Sequence, residues 1–171
     1  MNQKEAANKL KNLGYTYDDK LSTNESKVFV DQQGNPNIAF RGSQRIVDDF
    51  LKSDLLQFVG LGSYDKRFQE AKRLTSMVEE KYGKPADVFG HSLGGKLAEV
   101  SGAKGNVYTY NKATGIADIG KTIPKNQKDI RTSGDVVSLI GTTQKHANKL
   151  ETINSKNQNA YFAHEVKNLD I

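Results

Sequence analysis

A serine flanked by glycines, followed by residues at helical spacing, is the sequence feature with the clearest chemistry. Residues 90–95 read Gly-His-Ser-Leu-Gly-Gly, and a short apolar run precedes them. A G-x-S-x-G pattern between a strand and a helix is typical of a sharp turn that presents the serine hydroxyl as a nucleophile. The amide that follows Ser92, that of Leu93, lies where an oxyanion can be held. The alternative is a glycine-rich turn with an incidental serine, and the strand–turn–helix context favours the nucleophile.

A serine nucleophile needs a base, and the chain has three histidines. We expect His91 to point away from its neighbour Ser92 and to serve in packing or hydrogen bonding. His146 lies in a polar stretch, which is typical of a solvated surface residue. His164 follows an aromatic segment and fits the chain order serine, acid, histidine of the α/β hydrolases. His164 is therefore the favoured base, and His146 is the alternative.

The acid that orients the base should lie between Ser92 and His164. Asp135 is favoured because it follows a predicted strand, and α/β folds present their chemistry at the carboxyl ends of strands. Asp118, in a loop of small residues, is the second choice. The full set of candidates is Asp118, Asp129, Asp135 and Glu151.

Alternating strand and helix patterns must position these side chains. They predict an α/β fold over residues 1–171 as a single domain, with a mixed, mostly parallel central sheet and helices on both faces. Helical spacing covers residues 3–13 and 68–82, each ended by a glycine. The predicted strands are 28–30 and 38–40, joined as a hairpin, then 86–89, 107–110, and a segment from 129 that ends near Asp135.

The segment after the second predicted strand has two expected roles. Ser43, in a tight exit at Arg41-Gly42-Ser43, is a candidate second oxyanion donor. The apolar stripe that follows can form a lid or line an acyl pocket. Alternatively, it only builds core and dimer surface. The stripe comprises Ile46, Val47, Phe50, Leu51 and Leu55.

Composition excludes several classes of function. The chain has no cysteine, which excludes disulfides and thiolate catalysis. The net charge of +5 comes from dispersed lysines, so we expect a solvated surface, with weak attraction to anionic lipid headgroups as the alternative, and no nucleic-acid partner. We expect no transmembrane segment and no secretory signal peptide, which leaves a cytoplasmic, virion-associated or non-classically released protein.

Four segments together resemble the class 3 (fungal-type) lipases of the α/β-hydrolase superfamily. Residues 38–43 with 48–55 resemble that family's FRGS/T…DWxxDL segment, and residues 90–95 match its GHSLGG turn. Gly134-Asp135-Val136-Val137 resembles its acid segment, and Ala163-His164 resembles its histidine segment. The resemblance runs from about residue 27 onward, with Phe50 in place of the family's tryptophan and Val137-Ser138 in place of a proline.

The resemblance implies a serine hydrolase that cleaves lipid or other acyl esters as a lipase, phospholipase or esterase. Ser92 would be the nucleophile, Asp135 the acid and His164 the base, while Ser43 and Leu93 would hold the oxyanion. This mechanism needs no cofactor or metal. The expected partner is a lipid or other ester substrate, and the apolar stripe could make peripheral contact with a lipid surface. The alternative function is a non-catalytic lipase-like module in a larger assembly such as a virion.

Overall fold

The computed structural model describes residues 3–42 and 65–155, and within these ranges the chain has an α/β fold. The helices are α1 Gln3–Asn12, α2 Asp65–Tyr82 and α3 Leu93–Val100, with short 3-10 helices at Ile116–Asp118 and Leu139–Thr143. The strands are β1 Thr16–Tyr17, β2 Ser26–Val30, β3 Pro36–Phe40, β4 Asp87–His91, β5 Val107–Tyr110, β6 Thr122–Ile123, β7 Gln127–Thr132, β8 Lys145–His146 and β9 Glu151–Ile153.

The central sheet is mixed and mostly parallel, which confirms the predicted fold class. Its seven strands lie in the order β1-β2-β3-β4-β5-β7-β9. The first three strands pair antiparallel, and every pairing from β3 to β9 is parallel. From β3 onward the carboxyl ends of the strands therefore meet at one edge of the sheet.

The predicted hairpin and the glycine helix ends are confirmed. Strands β2 and β3 pair in register, with Val28 opposite Ile38. Gly14 follows α1 with φ +84°, and Gly83 follows α2 with φ +63°. Glycine adopts this left-handed conformation at little cost, so it terminates a helix readily.

Among the described residues, α2 and α3 pack on the same face of the sheet. Alternate residues of four strands face these helices, as the two-residue period of a strand requires. The side chains of this core are fully or almost fully buried. They include Val28, Ile38, Phe40, Val88 and Val107 of the sheet with Ala71, Val78, Leu97 and Ala98 of the helices.

The polar stretch after residue 140 contains structure that the sequence pattern did not predict. Strand β9 extends the central sheet by pairing with β7, and β8 pairs with β6 in a separate two-stranded sheet. Each of these strands has only two or three residues. Such short segments cannot show a clear hydrophobic alternation.

Candidate active site

Ser92 lies at a strained turn between β4 and α3. Its backbone has φ +58° and ψ −126°, a conformation that a residue with a Cβ rarely adopts. Two glycines make the turn possible. A Cβ on Gly90 would lie 2.1 Å from the carbonyl oxygen of Gly94, and a Cβ on Gly94 would lie 2.2 Å from that of Phe40. The predicted strand–turn–helix context is therefore present, and its glycines are required sterically.

The Ser92 hydroxyl is buried without a hydrogen-bond partner among the residues that the structure describes. Only 2% of the residue is exposed. Its backbone, by contrast, is fixed on both sides: its N–H donates to Tyr110 O at 3.1 Å, and its carbonyl accepts from the Ala113 N–H at 3.0 Å. A buried hydroxyl without a partner is costly, so such groups are found mainly where another requirement outweighs the cost.

The loop after β3 reaches this turn. A Cβ on Gly42 would lie 2.8 Å from His91 O and 3.4 Å from Ser92 Cβ. The Arg67 guanidinium fixes the loop by donating to Arg41 O at 3.1 Å. Ser43, the next residue and a predicted oxyanion donor, lies outside the described residues. The other predicted donor, Leu93, begins α3, where the first backbone N–H groups have no partner within the helix.

Asp135 lies just beyond β7, as predicted, and is fully buried. Its carboxylate accepts hydrogen bonds from the Val137 N–H at 3.3 Å, the Ser138 N–H at 3.0 Å and the Ser138 hydroxyl. The turn before it contains Gly134 with φ +80°. This carboxylate is therefore held in one orientation by its own loop.

The segment after β5 connects the serine turn to the aspartate loop. The Ala113 N–H donates to Ser92 O, and the Thr114 N–H donates to Val137 O at 3.2 Å. Sheet order explains this proximity, because β5 lies between β4 and β7. His164, the predicted base, lies outside the described residues, and so do the predicted lid or acyl-pocket residues Ile46, Val47, Phe50, Leu51 and Leu55.

The alternative base, His146, has other partners. Its Nδ1 lies 3.4 Å from Asp129 Oδ2, and its Nε2 lies 3.1 Å from Gly141 O. Its side chain is only 8% exposed, so the expectation of a solvated surface histidine was wrong. His91 stacks on the Tyr110 ring with 5.5 Å between ring centroids, which matches the packing role expected for it.

The alternative acids also have partners of their own. Asp118 pairs with Lys96 through one oxygen and accepts the Gly115 N–H at 3.0 Å through the other. Glu151 pairs with Lys128 at 3.1 Å, and both side chains are about half exposed.

A buried ion network beside the serine turn was missed by the sequence analysis. Its carboxylates and ammonium groups join α3 to the segment after β5 and to β7 itself. Lys112 Nζ lies 2.6 Å from Glu99 Oε2 and 2.8 Å from Asp129 Oδ2, while Lys96 Nζ lies 2.8 Å from Glu99 Oε1. The ion network consists of Lys96, Glu99, Lys112, Asp118, Lys121 and Asp129.

Charge pairing in the ion network outweighs the effect of burial. Burial by itself would raise the pKa of Glu99, but the charges of Lys112 and Lys96 hold that pKa well below its ordinary value. Burial likewise would lower the pKa of Lys96, but Glu99 and Asp118 raise it above its ordinary value. Glu99 and Lys96 are therefore both charged at neutral pH.

A groove of about 430 Å³ lies between α2 and the segment at residues 20–26 that leads into β2. Phe40, Leu74 and Leu97 give it apolar walls, while Arg67 and Glu25 contribute charge. Phe40 also links the groove to the serine turn, because its carbonyl oxygen contacts Gly94. The sequence pattern did not predict this groove, whose lining residues come from four separate segments of the chain.

Over residues 3–42 and 65–155, no group of three or more His, Asp or Glu side chains is arranged to hold a metal ion. In the same part of the chain, no helix has the length and apolar character needed to cross a bilayer.

Comparison with models of known protein families shows which family the chain belongs to. A family model described as Phospholipase-like, Tle-like phospholipase domain, matches residues 3–167. The chain belongs to this Tle-like phospholipase family. Membership of a phospholipase-like family supports hydrolysis of lipid esters as the general class of reaction, and a lipid substrate fits that class. No curated protein and no solved structure gives a significant match to the chain.

Proposed function

We propose that this chain is a serine hydrolase that cleaves carboxylic esters of lipids through an acyl-enzyme on Ser92. The observation that carries the proposal is the serine itself. It lies in a strained turn between β4 and α3, and its hydroxyl has no partner among the described residues. The match to the Tle-like phospholipase family supports the same chemistry.

In the proposed mechanism, His164 takes the Ser92 proton as the oxygen attacks the ester carbonyl. Asp135 orients the imidazole and stabilises its charged form. Amides of Ser43 and Leu93 hold the oxyanion, and each such donor is typically worth about 3–4 kcal/mol. Protonated His164 then gives its proton to the leaving alcohol. Water repeats the cycle, releasing the acid and restoring Ser92.

The position of Asp135 supports its proposed role as the acid. Serine and aspartate follow β4 and β7, with one strand between them, and both loops bond to residues 113–114. The order Ser92, Asp135, His164 is that of the α/β hydrolases. The resemblance to class 3 lipases in residues 38–43 and 90–95 supports a relationship to that family as well.

Labelling with a fluorophosphonate tests the nucleophile. We expect the native chain to be labelled and Ser92→Ala to remain unlabelled at unchanged thermal stability. Ser101→Ala is a matched control, because Ser101 is also buried but donates its hydroxyl proton to Ala98 O at 2.8 Å. Failure of the native chain to be labelled would refute the enzyme and favour the non-catalytic module.

A substrate panel tests the lipid assignment. We expect hydrolysis of phospholipid vesicles, together with hydrolysis of p-nitrophenyl esters, and loss of both in Ser92→Ala. Activity on short soluble esters without any release of fatty acid from vesicles would contradict a phospholipase and indicate a soluble esterase.

A further inference from the structure

Asn111 has a strained backbone directly beside the candidate site. Its φ is +43°, and Ser92 is the other non-glycine residue with positive φ in residues 3–42 and 65–155. Asparagine tolerates this conformation better than most residues, but it still requires support from its surroundings. Asn111 is fully buried and directly follows β5.

The backbone around Asn111 holds the serine turn. Tyr110 O accepts the Ser92 N–H, and the Ala113 N–H donates to Ser92 O, at 3.1 and 3.0 Å respectively. The residues on either side of Asn111 therefore fix both polar groups of the Ser92 backbone. A change in the path of the chain at Asn111 would move the serine.

The side chain of Asn111 holds the other loop. Its Oδ1 accepts the Thr132 N–H at 2.7 Å, and its Nδ2 donates to Thr132 Oγ1 at 3.2 Å. Thr132 ends β7, and its carbonyl accepts the Asp135 N–H at 3.2 Å. One carboxamide therefore fixes the residue from which the aspartate loop starts.

We propose that Asn111 is a positioning residue that sets the placement of Asp135 relative to Ser92. The inference rests on the function proposed above. The left-handed backbone of Asn111 belongs to the segment that holds Ser92. The carboxamide of Asn111 hydrogen-bonds to Thr132, in the segment that carries Asp135. Glycine could supply the backbone without the carboxamide, while aspartate could supply the acceptor without the N–H donor.

Asn111→Gly tests this role while keeping the left-handed backbone accessible. We expect kcat to fall by up to about 10²-fold with KM little changed, because a displacement of about 1 Å can cost that much. Asn111→Asp keeps the shape and one acceptor, so we expect a smaller loss of kcat. The aspartate variant also serves if the glycine variant does not fold.

A double-mutant cycle separates positioning from general destabilisation. In an Asp135→Ala background, we expect Asn111→Gly to cause no further loss of kcat. Asn148→Ala is the matched control, since Asn148 donates to Gln127 O at 3.1 Å and so holds the opposite end of β7. We expect this control to leave kcat unchanged.

Three results would overturn the proposal. They are additive losses of kcat in the Asp135→Ala background, unchanged kcat in both Asn111 variants, and an equal loss of kcat in Asn148→Ala. Fluorophosphonate labelling of the native chain distinguishes the two levels of inference. An unlabelled native chain would refute the proposed function and the role of Asn111 with it, whereas labelling with any of these three results would refute only the role of Asn111.

Discussion

Helix α3 is held in place by two different kinds of contact. On one side, Leu97 and Ala98 pack into the apolar core against the sheet and are at most 2% exposed. On another side, Lys96 and Glu99 enter the ion network, with side chains at most 8% exposed. On the apolar side, the loss of stability on shortening a side chain grows with the number of buried atoms removed. On the charged side, removal of one partner leaves the other charge buried and unpaired, which is costly at once.

The largest expected effect comes from removing the central carboxylate of the ion network. Glu99→Ala leaves Lys96, Lys112 and Lys121 with fewer counter-charges. We expect the free energy of unfolding to fall by about 3–5 kcal/mol, as when one partner of a buried pair is removed. Urea unfolding measures the change. Glu80→Ala, at an exposed position of α2, is the control and should change little. A loss in Glu99→Ala as small as that in Glu80→Ala would show that the ion network is not needed for the stability of the fold.

Shortening an apolar side chain of α3 should cause the next largest loss of stability. Leu97→Ala removes a side chain that is 2% exposed, and we expect a loss of about 3 kcal/mol in the free energy of unfolding. Met77→Ala, at a position that is 41% exposed, should cost much less. A Leu97→Ala loss that exceeds the Glu99→Ala loss would reverse the ranking of the two sides of α3.

Acid should reduce the stability that the ion network provides and leave the contribution of the apolar core unchanged. The pKa of Glu99 lies below its ordinary value of 4.5 in the folded chain, so its stabilisation is complete above that pH. It is lost as the pH falls below 4.5, at up to about 1.4 kcal/mol per pH unit. We therefore expect Glu99→Gln to show a shallower decline between pH 5 and pH 3 than the native chain. Leu97→Ala and Glu80→Gln should keep the native slope, and parallel slopes in all four proteins would contradict this assignment.

The smallest expected effect is at the exposed end of the network. Lys121 Nζ lies 2.7 Å from Glu99 Oε1, but the lysine side chain is 40% exposed. Solvent screens such a pair, so Lys121→Ala should lower the free energy of unfolding by less than about 1 kcal/mol. Urea unfolding in low and high salt measures it. A loss equal to that of Glu99→Ala would show that the contribution of an ion pair to stability does not depend on its exposure in this network.

Local patterns in the sequence predicted the elements that carry the site. Alternating apolar residues indicated the β2–β3 hairpin, and glycines marked the ends of α1 and α2. The motif around Ser92 predicted its turn because the glycines that the turn requires sterically lie within two residues of the serine. Asp135 was placed beyond a strand for the same reason: its position depends on the short segment that precedes it.

The ion network could not be predicted in this way. Its lysines looked like a dispersed, solvated charge, since nothing near Lys96 or Lys112 in the sequence indicates burial. Their partners lie far along the chain: Asp118 is 22 residues from Lys96, and Asp129 is 17 residues from Lys112. The pairing of β5 with β7 and the packing of α3 against β5 bring these residues together. Strand β9 was missed because its three residues are too few to show a pattern.

The strand order has a consequence for synthesis on the ribosome. From β3 onward, β4, β5, β7 and β9 join the parallel part of the sheet in chain order. Along the chain, the proposed donor Ser43, nucleophile Ser92 and acid Asp135 are made before the proposed base His164. A chain released between Asp135 and His164 would contain the proposed nucleophile and acid but lack the proposed base. Under the proposed mechanism, translation products that end before His164 would therefore have no esterase activity.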